Sequence, residues 1–453
     1  MKDLIKQNEG RRLEFKEKVD STLDICKTVI AFANDAGGDL YVGIKDSPRS
    51  VIGISEDEIF VIEEKISNAV FANCSPIILP EISLIMYENK HIIKIHINRG
   101  NNPPYHLKNT GIAKGTYIRV GSTNRMADDV FIEDLNRKKN NISFDSELIY
   151  SKMADEIDLK GFTKLYLDKA GEKLSKIILS KFNLTKKEND SVYPTNALIL
   201  LSDDDLRKDL FPFAKIECAV FKGIVPGNFI DQKTFDSSIV EDPEDAYKFV
   251  LRHISQKSKD YTGVFRNDRW EYPVISIREV IRNAVIHRDY SIRGSDIKVA
   301  IFEDKVEITS PGKLLPDIDF SDMLSGQSNT RNKTLAPVFK RMGIIEQWGN
   351  GLRIISDEMK NYPEIEMIWS EPGISFRVTF FKKNYREMSG EMSGEIIELL
   401  KKDKDITIPE IAKMIGVTER TIERKISVLQ KMELIQRIGP KKGGHWEVIK
   451  KDK

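Results

Sequence analysis

Three carboxylates near the start of the chain could do chemistry together. Glu9 and Glu14 lie in NEGRRLEFKE, and Asp46 ends the run GGDLYVGIKD. If Glu14 sits on a strand or helix start beside that run, the three converge. Three carboxylates hold a hard divalent cation such as Mg²⁺ or Mn²⁺, which can activate water against a phosphodiester. A second set is Glu279, Asn283 and His287, spaced i, i+4, i+8 in IREVIRNAVIHRD. That spacing places all three on one stripe of a helix. Such a stripe is ordinarily a solvated face, but Asn and His are an expensive choice where Lys would serve. A third set is basic. Arg420, Thr421 and Arg424 fall off the apolar stripe Ile422, Ile426 and Leu429. Guanidinium forks match phosphates and guanine edges, so these three are the expected DNA contacts. Lys441 and Lys442, in the turn GPKKGG, would meet the phosphate backbone. Arg119, Ser122, Asn124 and Arg125 in RVGSTNR combine a guanidinium, a hydroxyl and an amide in a Gly-containing turn, which suits phosphate. A turn stabilised by its own polar side chains reads equally well there.

The elements that must position these groups follow from pattern. Residues 406–448 read as a helix-turn-helix with a two-stranded wing. IPEIAKMI is its first helix, Gly416 breaks it, and Thr418 can cap the second. In residues 1–140, Ser21–Asn34 predicts a helix. Asp39–Lys45, ILPEISLIMY, HIIKIHIN and Thr116–Val120 predict strands. In residues 145–382, TNALILLS and AKIECAVFKG read as strands. A helix is expected over Ile277–His287, a hairpin over Asp296–Phe302 and Lys305–Thr309, helices near Leu335–Met342 and Gly351–Met359, and a last strand at Ile374–Phe380. The tandem EMSG repeat makes 383–395 a flexible linker, which leaves 396–453 as the winged helix.

Composition bounds the function. A chain of 453 residues, 40% hydrophobic and 31% charged, is a soluble multidomain protein by composition. No run approaches a membrane span, and MKDLIKQNEGRR lacks the apolar core of a signal peptide. Three well-separated cysteines fit neither a disulfide framework nor a metal-ligand spacing. A cytoplasmic protein is the simplest expectation. Residues 395–453 carry 14 Lys and Arg against 10 Asp and Glu, whereas the whole chain is only +1. The basic excess is concentrated where DNA would be met. No G-x4-G-K-[ST] run is present, so the chain has no P-loop helicase motor.

The blocks NEGRRLEFKE, VIAFANDAGGDLYVGIKD, VIGI and YIRVGSTNRMA resemble the AlbA-type domain shared with Schlafen proteins, over about residues 5–127. That resemblance implies nucleic-acid binding, RNA included. Some Schlafens cleave RNA with an E-x4-E…D set, onto which Glu9, Glu14 and Asp46 fall. The block around Asn283 resembles a divergent GHKL-type ATPase. There Asn283 would ligate Mg²⁺ beside ATP, Glu279 would orient water, and Gly349 and Gly351 would form a phosphate-approaching glycine box. Ser310-Pro311-Gly312 stands where such ATPases carry the Asp that reads adenine. HRDYSIRGSD, EITSPGKL, NTRNKTLAPVF and IEQWGNGL are similar to a wider family of predicted transcriptional regulators, often mislabelled as RecG helicases. The resemblances imply an α+β multidomain chain: an AlbA/Schlafen-like α/β domain, a divergent Bergerat-type α/β sandwich and a carboxyl-terminal winged helix-turn-helix. DNA half-sites come in pairs, so a homodimer is expected.

Overall fold

A computed structural model describes residues 1–453 apart from 47, 263–264, 316–329, 346–350, 384–394, 416–418, 432–433, 440–443 and 450–453. In the first unit, strands Leu13–Lys16, Gly38–Val42, Lys90–Ile97 and Glu81–Tyr87 form one sheet in that order. The first pair is parallel, with Glu14 opposite Leu40. Helix Thr22–Asn34 begins where the Ser21 hydroxyl accepts the Asp24 N–H, and it buries Ile25, Val29, Ile30 and Phe32. Its last residue, Asn34, is a buried hub. Its amide donates to the carbonyls of Tyr105 and Tyr117 and accepts the Tyr105 N–H.

The central unit is built on six strands in the order Phe229–Phe235, Ile216–Phe221, Ile297–Ile301, Lys305–Pro311, Ser375–Lys382 and Ile365–Ser370. Alternation decides which face is covered. Ile216, Cys218, Val220, Ile297, Val299, Val306 and Ile308 are buried, while Glu217, Lys298 and Glu307 between them are not. The covering layer is led by helix Val274–Ile286, which packs on Ile297–Ile301 and Lys305–Pro311 between helices Asp242–His253 and Gly351–Met359. Each large apolar side chain it buries, such as Ile277 and Ile281, contributes about 1.5–3 kcal/mol. One expectation fails. TNALILLS is not a strand: Asn196–Leu201 is a helix with all six residues buried. An apolar run buried on every side carries no period to separate the two forms.

The third unit comprises helices 395–402, Ile408–Ile415 and Glu419–Lys431 and the hairpin Ile435–Ile438/His445–Val448. Ile396, Leu400, Ile411, Ile422, Ile426, Leu429 and Trp446 form its core. Among the described residues, no helix is long and apolar enough to cross a membrane.

Polar contacts tie the first unit to the second. Arg11 donates to both Asp35 carboxylate oxygens at 2.6 and 2.5 Å, to Glu371 at 2.7 Å and to the Leu314 carbonyl at 2.9 Å. Asp145, fully buried in the connecting segment, accepts the N–H groups of Thr334 and Leu335 at 2.7 and 2.8 Å. Replacing Asp145 by Ala strands both donors and should cost about 1–3 kcal/mol in chemical denaturation. For Asp35, burial pushes the carboxyl up, but hydrogen bonds and charge from Arg11 outweigh it, and the net shift is downward. Its stabilisation is therefore complete above the unfolded value of about 3.9 and fades as pH falls through the depressed folded value. Thermal unfolding followed from neutral to acid pH should show a smaller acid loss in Asp35→Asn than in the parent. Identical profiles would count against the pairing.

Candidate functional site

The amino-terminal carboxylates do lie near one another, but protein donors occupy them. Glu9 is half-buried, and its carboxyl is raised by burial, with Glu14 and Asp46 adding to the rise against the Phe15 N–H. Its Oε1 accepts that N–H at 2.7 Å. Glu14 is 4% exposed and pairs with Arg119 and with Lys16. Asp46 pairs with Arg49 at 2.6 Å. Among the described residues, no group of three His, Cys, Asp or Glu is arranged to hold a metal ion. The expected Mg²⁺ or Mn²⁺ centre on Glu9, Glu14 and Asp46 therefore does not fit the donor set present.

Arg119 needs a correction too. It is 1% exposed and cannot reach a nucleic acid. Its guanidinium donates to the carbonyls of Gly10 and Leu13 and to Asn124, and lies over the Phe32 ring. Asn124 in turn donates to the Thr28 hydroxyl. The arginine pins the lead-in strand to helix Thr22–Asn34. Ser122 and Arg125, on the adjoining hairpin Tyr117–Val120/Thr123–Met126, are exposed. Glu14→Ala should destabilise the chain by about 3–5 kcal/mol, because it leaves a buried guanidinium without countercharge. Adding Arg119→Met should recover part of the loss. Unchanged stability in Glu14→Ala would show the carboxylate free for other chemistry.

The central helix delivers its stripe into a cavity of about 420 Å³. Glu279, Asn283 and His287 all line it, with Ile308, Phe376 and Val378 from the sheet and Gly351, Leu352 and Ile355 from the next helix. Glu279 lies against the start of that helix. A Cβ built on Gly351 would stand 2.3 Å from its Oε1. Gly349 lies outside the described residues. His287 is pushed down to about 4, by burial and then by the charge of Arg331, so it is neutral near pH 7. Ser310 does not replace the missing adenine-reading carboxylate, because its hydroxyl donates to the Ala284 carbonyl at 2.7 Å.

The other wall of the cavity escaped motif reading. Asp289 is held by Arg331 at 2.7 Å and accepts from the Ser291 N–H and hydroxyl. Burial would raise its carboxyl; Arg331 and Ser291 outweigh that and lower it. Arg331 also donates to the Lys313 carbonyl. Asn332 fastens the end of the central helix by donating to the carbonyls of Ile286 and Arg288. Gly312, at φ 108°, passes so near Asp289 that a Cβ would stand 2.8 Å from that residue's own Cβ. Lys313, Arg331, Lys333 and Lys340 all line the cavity. The blocks HRDYSIRGSD and NTRNKTLAPVF contain some of these residues, but nothing local marks them as one wall.

In the third unit, Ile422, Ile426 and Leu429 face inward and Glu423 and Ser427 are exposed. Positions 420 and 424 share the helical face of 427, at about 100° per residue. Arg420, Thr421 and Arg424 stand in the described helix, but their side chains lie outside the described part. Lys441 and Lys442 lie outside the described residues altogether.

Comparison with known proteins gives three family matches along the chain. The family model described as "Schlafen, AlbA_2" matches residues 9–128. That described as "Putative ATP-dependent DNA helicase recG C-terminal" matches 294–380, and an "HTH domain" model matches 394–438. The chain thus joins a Schlafen AlbA_2 domain, a recG-C-terminal-type domain and a helix-turn-helix domain in one α+β multidomain polypeptide. A curated relative, an uncharacterised ATP-binding protein of Ureaplasma parvum, is 32% identical over 91 residues, 19% of this chain. The chain spans about a quarter (26%) of that relative's length. A crystal structure of a protein from Corynebacterium diphtheriae aligns over 97% of this chain and 92% of its own, at 17% identity and a TM-score of 0.42. The amino-terminal domain of a RecG-related protein from Nitrosomonas europaea aligns over 28% of this chain and 91% of its own, at 23% identity and a TM-score of 0.23.

Proposed function

We propose that this chain is a DNA-binding transcriptional regulator whose central cavity takes a ligand, with a nucleotide as the first candidate. The carrying observation is the third unit. It matches a helix-turn-helix domain and buries one stripe of its second helix, leaving the opposite face for a duplex. DNA is the principal partner. Positions 420, 421 and 424 supply groove contacts, and Lys441 and Lys442 supply phosphate contacts at the wing. Exposed Ser122 and Arg125 add nucleic-acid affinity from the first unit. The recG-C-terminal-type match and the printed name of the Ureaplasma relative support ATP as a ligand. Asn283 would face its Mg²⁺. Loss of the adenine-reading carboxylate argues for sensing rather than turnover. The protein acts in the cytoplasm as a homodimer on paired half-sites. The nuclease alternative lacks support, because Glu14 is committed to Arg119 and Lys16.

Arg420→Glu with Arg424→Glu tests the reading. Duplex affinity, measured by fluorescence anisotropy at fixed salt, should fall about tenfold or more, and the salt slope by about one per lost phosphate contact. Undiminished affinity for every duplex would remove the winged helix from DNA binding.

A further inference from the structure

Charge around the central cavity is lopsided. The described lining of the cavity includes four cations, Lys313, Arg331, Lys333 and Lys340. Among the described residues, the one lining carboxylate is Glu279, which lies against Gly351. Ile308, Leu352, Ile355, Phe376 and Val378 give the lining an apolar part. Among the described residues, two of the cations, Lys333 and Lys340, have no carboxylate partner, and both are exposed. Lys333 donates to the neutral Asn141 amide oxygen at 2.6 Å. Among the described residues, Lys340 has no carboxylate within ion-pair distance. Arg331, by contrast, is fixed in direction by Asp289 and the Lys313 carbonyl.

We propose that the cavity takes a ligand with an apolar body and one anionic head, the head held by Arg331, Lys333 and Lys340 and the body lying on Ile308, Phe376 and Val378. This rests on the reading of the cavity as a ligand site and adds the ligand's class and direction. A GHKL-type pose would put phosphates and Mg²⁺ at Asn283 and Glu279. The charges here favour an anion at Arg331, Lys333 and Lys340, with no divalent ion needed. Neutral His287 supplies a hydrogen-bonding edge beside the head without adding charge of its own. A nucleotide is admitted only with its base on the apolar wall and its phosphates outward. Aromatic and aliphatic carboxylates, sulfonates and monophosphates fit the same layout.

The probes are anilinonaphthalene sulfonate and phenylnaphthylamine, which has the same rings without the sulfonate. Both are titrated by fluorescence onto the full chain in EDTA. The sulfonate should bind more tightly. Lys333→Gln with Lys340→Gln, two exposed positions that leave the fold intact, should weaken it roughly tenfold and leave the neutral probe unchanged. Leu352→Trp, which fills the cavity, should abolish both, with thermal melts confirming that the variant is folded. Equal affinity of the two probes, or no effect of the lysine changes, overturns the proposal. ATP is titrated in parallel with and without Mg²⁺. Binding that needs Mg²⁺ and Asn283 but not the two lysines places the head at the other end, which overturns the proposal and spares the ligand-site reading. If neither probe nor ATP binds, both fall.

Discussion

One guanidinium holds the two halves of the central site together. Arg331 binds Asp289 with one amino group and the Lys313 carbonyl with the other. Asp289 follows the central helix directly, and Lys313 follows the strand that helix packs on. From Lys313 the line continues outward. Its ammonium donates to the Arg119 carbonyl and lies 3.9 Å from Asp35. Burial, with repulsion from Arg11 and Lys138 opposing the attraction of Asp35 and Glu371, lowers the lysine's proton affinity. A short backbone segment, residues 312–315, is therefore the cavity wall on one side and the domain junction on the other. Buried ion pairs of this kind add little net stability but penalise any other arrangement heavily. They specify where the segment sits rather than how tightly the chain folds.

Much of the architecture was legible because it is periodic. The stripes of Val274–Ile286 and Glu419–Lys431 and the alternation of Lys90–Ile97 each declare an element and its inward face. Chemistry was less legible, for a physical reason. Arg119 sits in a polar, glycine-containing turn that looks like a phosphate cradle. Only the folding of Leu13–Lys16 and Thr22–Asn34 over it makes it a core residue. Glu14 looks like a metal ligand until that arginine arrives. In both cases the deciding partner is about a hundred residues away. The Lys313–Arg331 wall was invisible for the same reason, since its members come from different segments. Asn196–Leu201 failed differently, because total burial erases the pattern that reading depends on.

Arg288 shows how much the loop after the central helix is worth to the fold. It is fully buried, yet its guanidinium meets backbone carbonyls of Asp289, Ile292 and Ser295 rather than a carboxylate, with Phe213 and Tyr290 against it. A cation kept in such a place gathers several carbonyls at once and fixes the path of the loop. The loop then presents Asp289 to Arg331, so the cavity wall depends on a residue that does not line it.

The close approach of Gly351 to Glu279 carries an evolutionary consequence. A methyl at position 351 would push the Glu279 carboxylate off its present seat, whereas a shorter acid at 279 leaves Gly351 undisturbed. The constraint therefore runs one way: homologous chains with a side chain at 351 should carry a shortened or redirected residue at 279, a signature recoverable from natural variation without any assay.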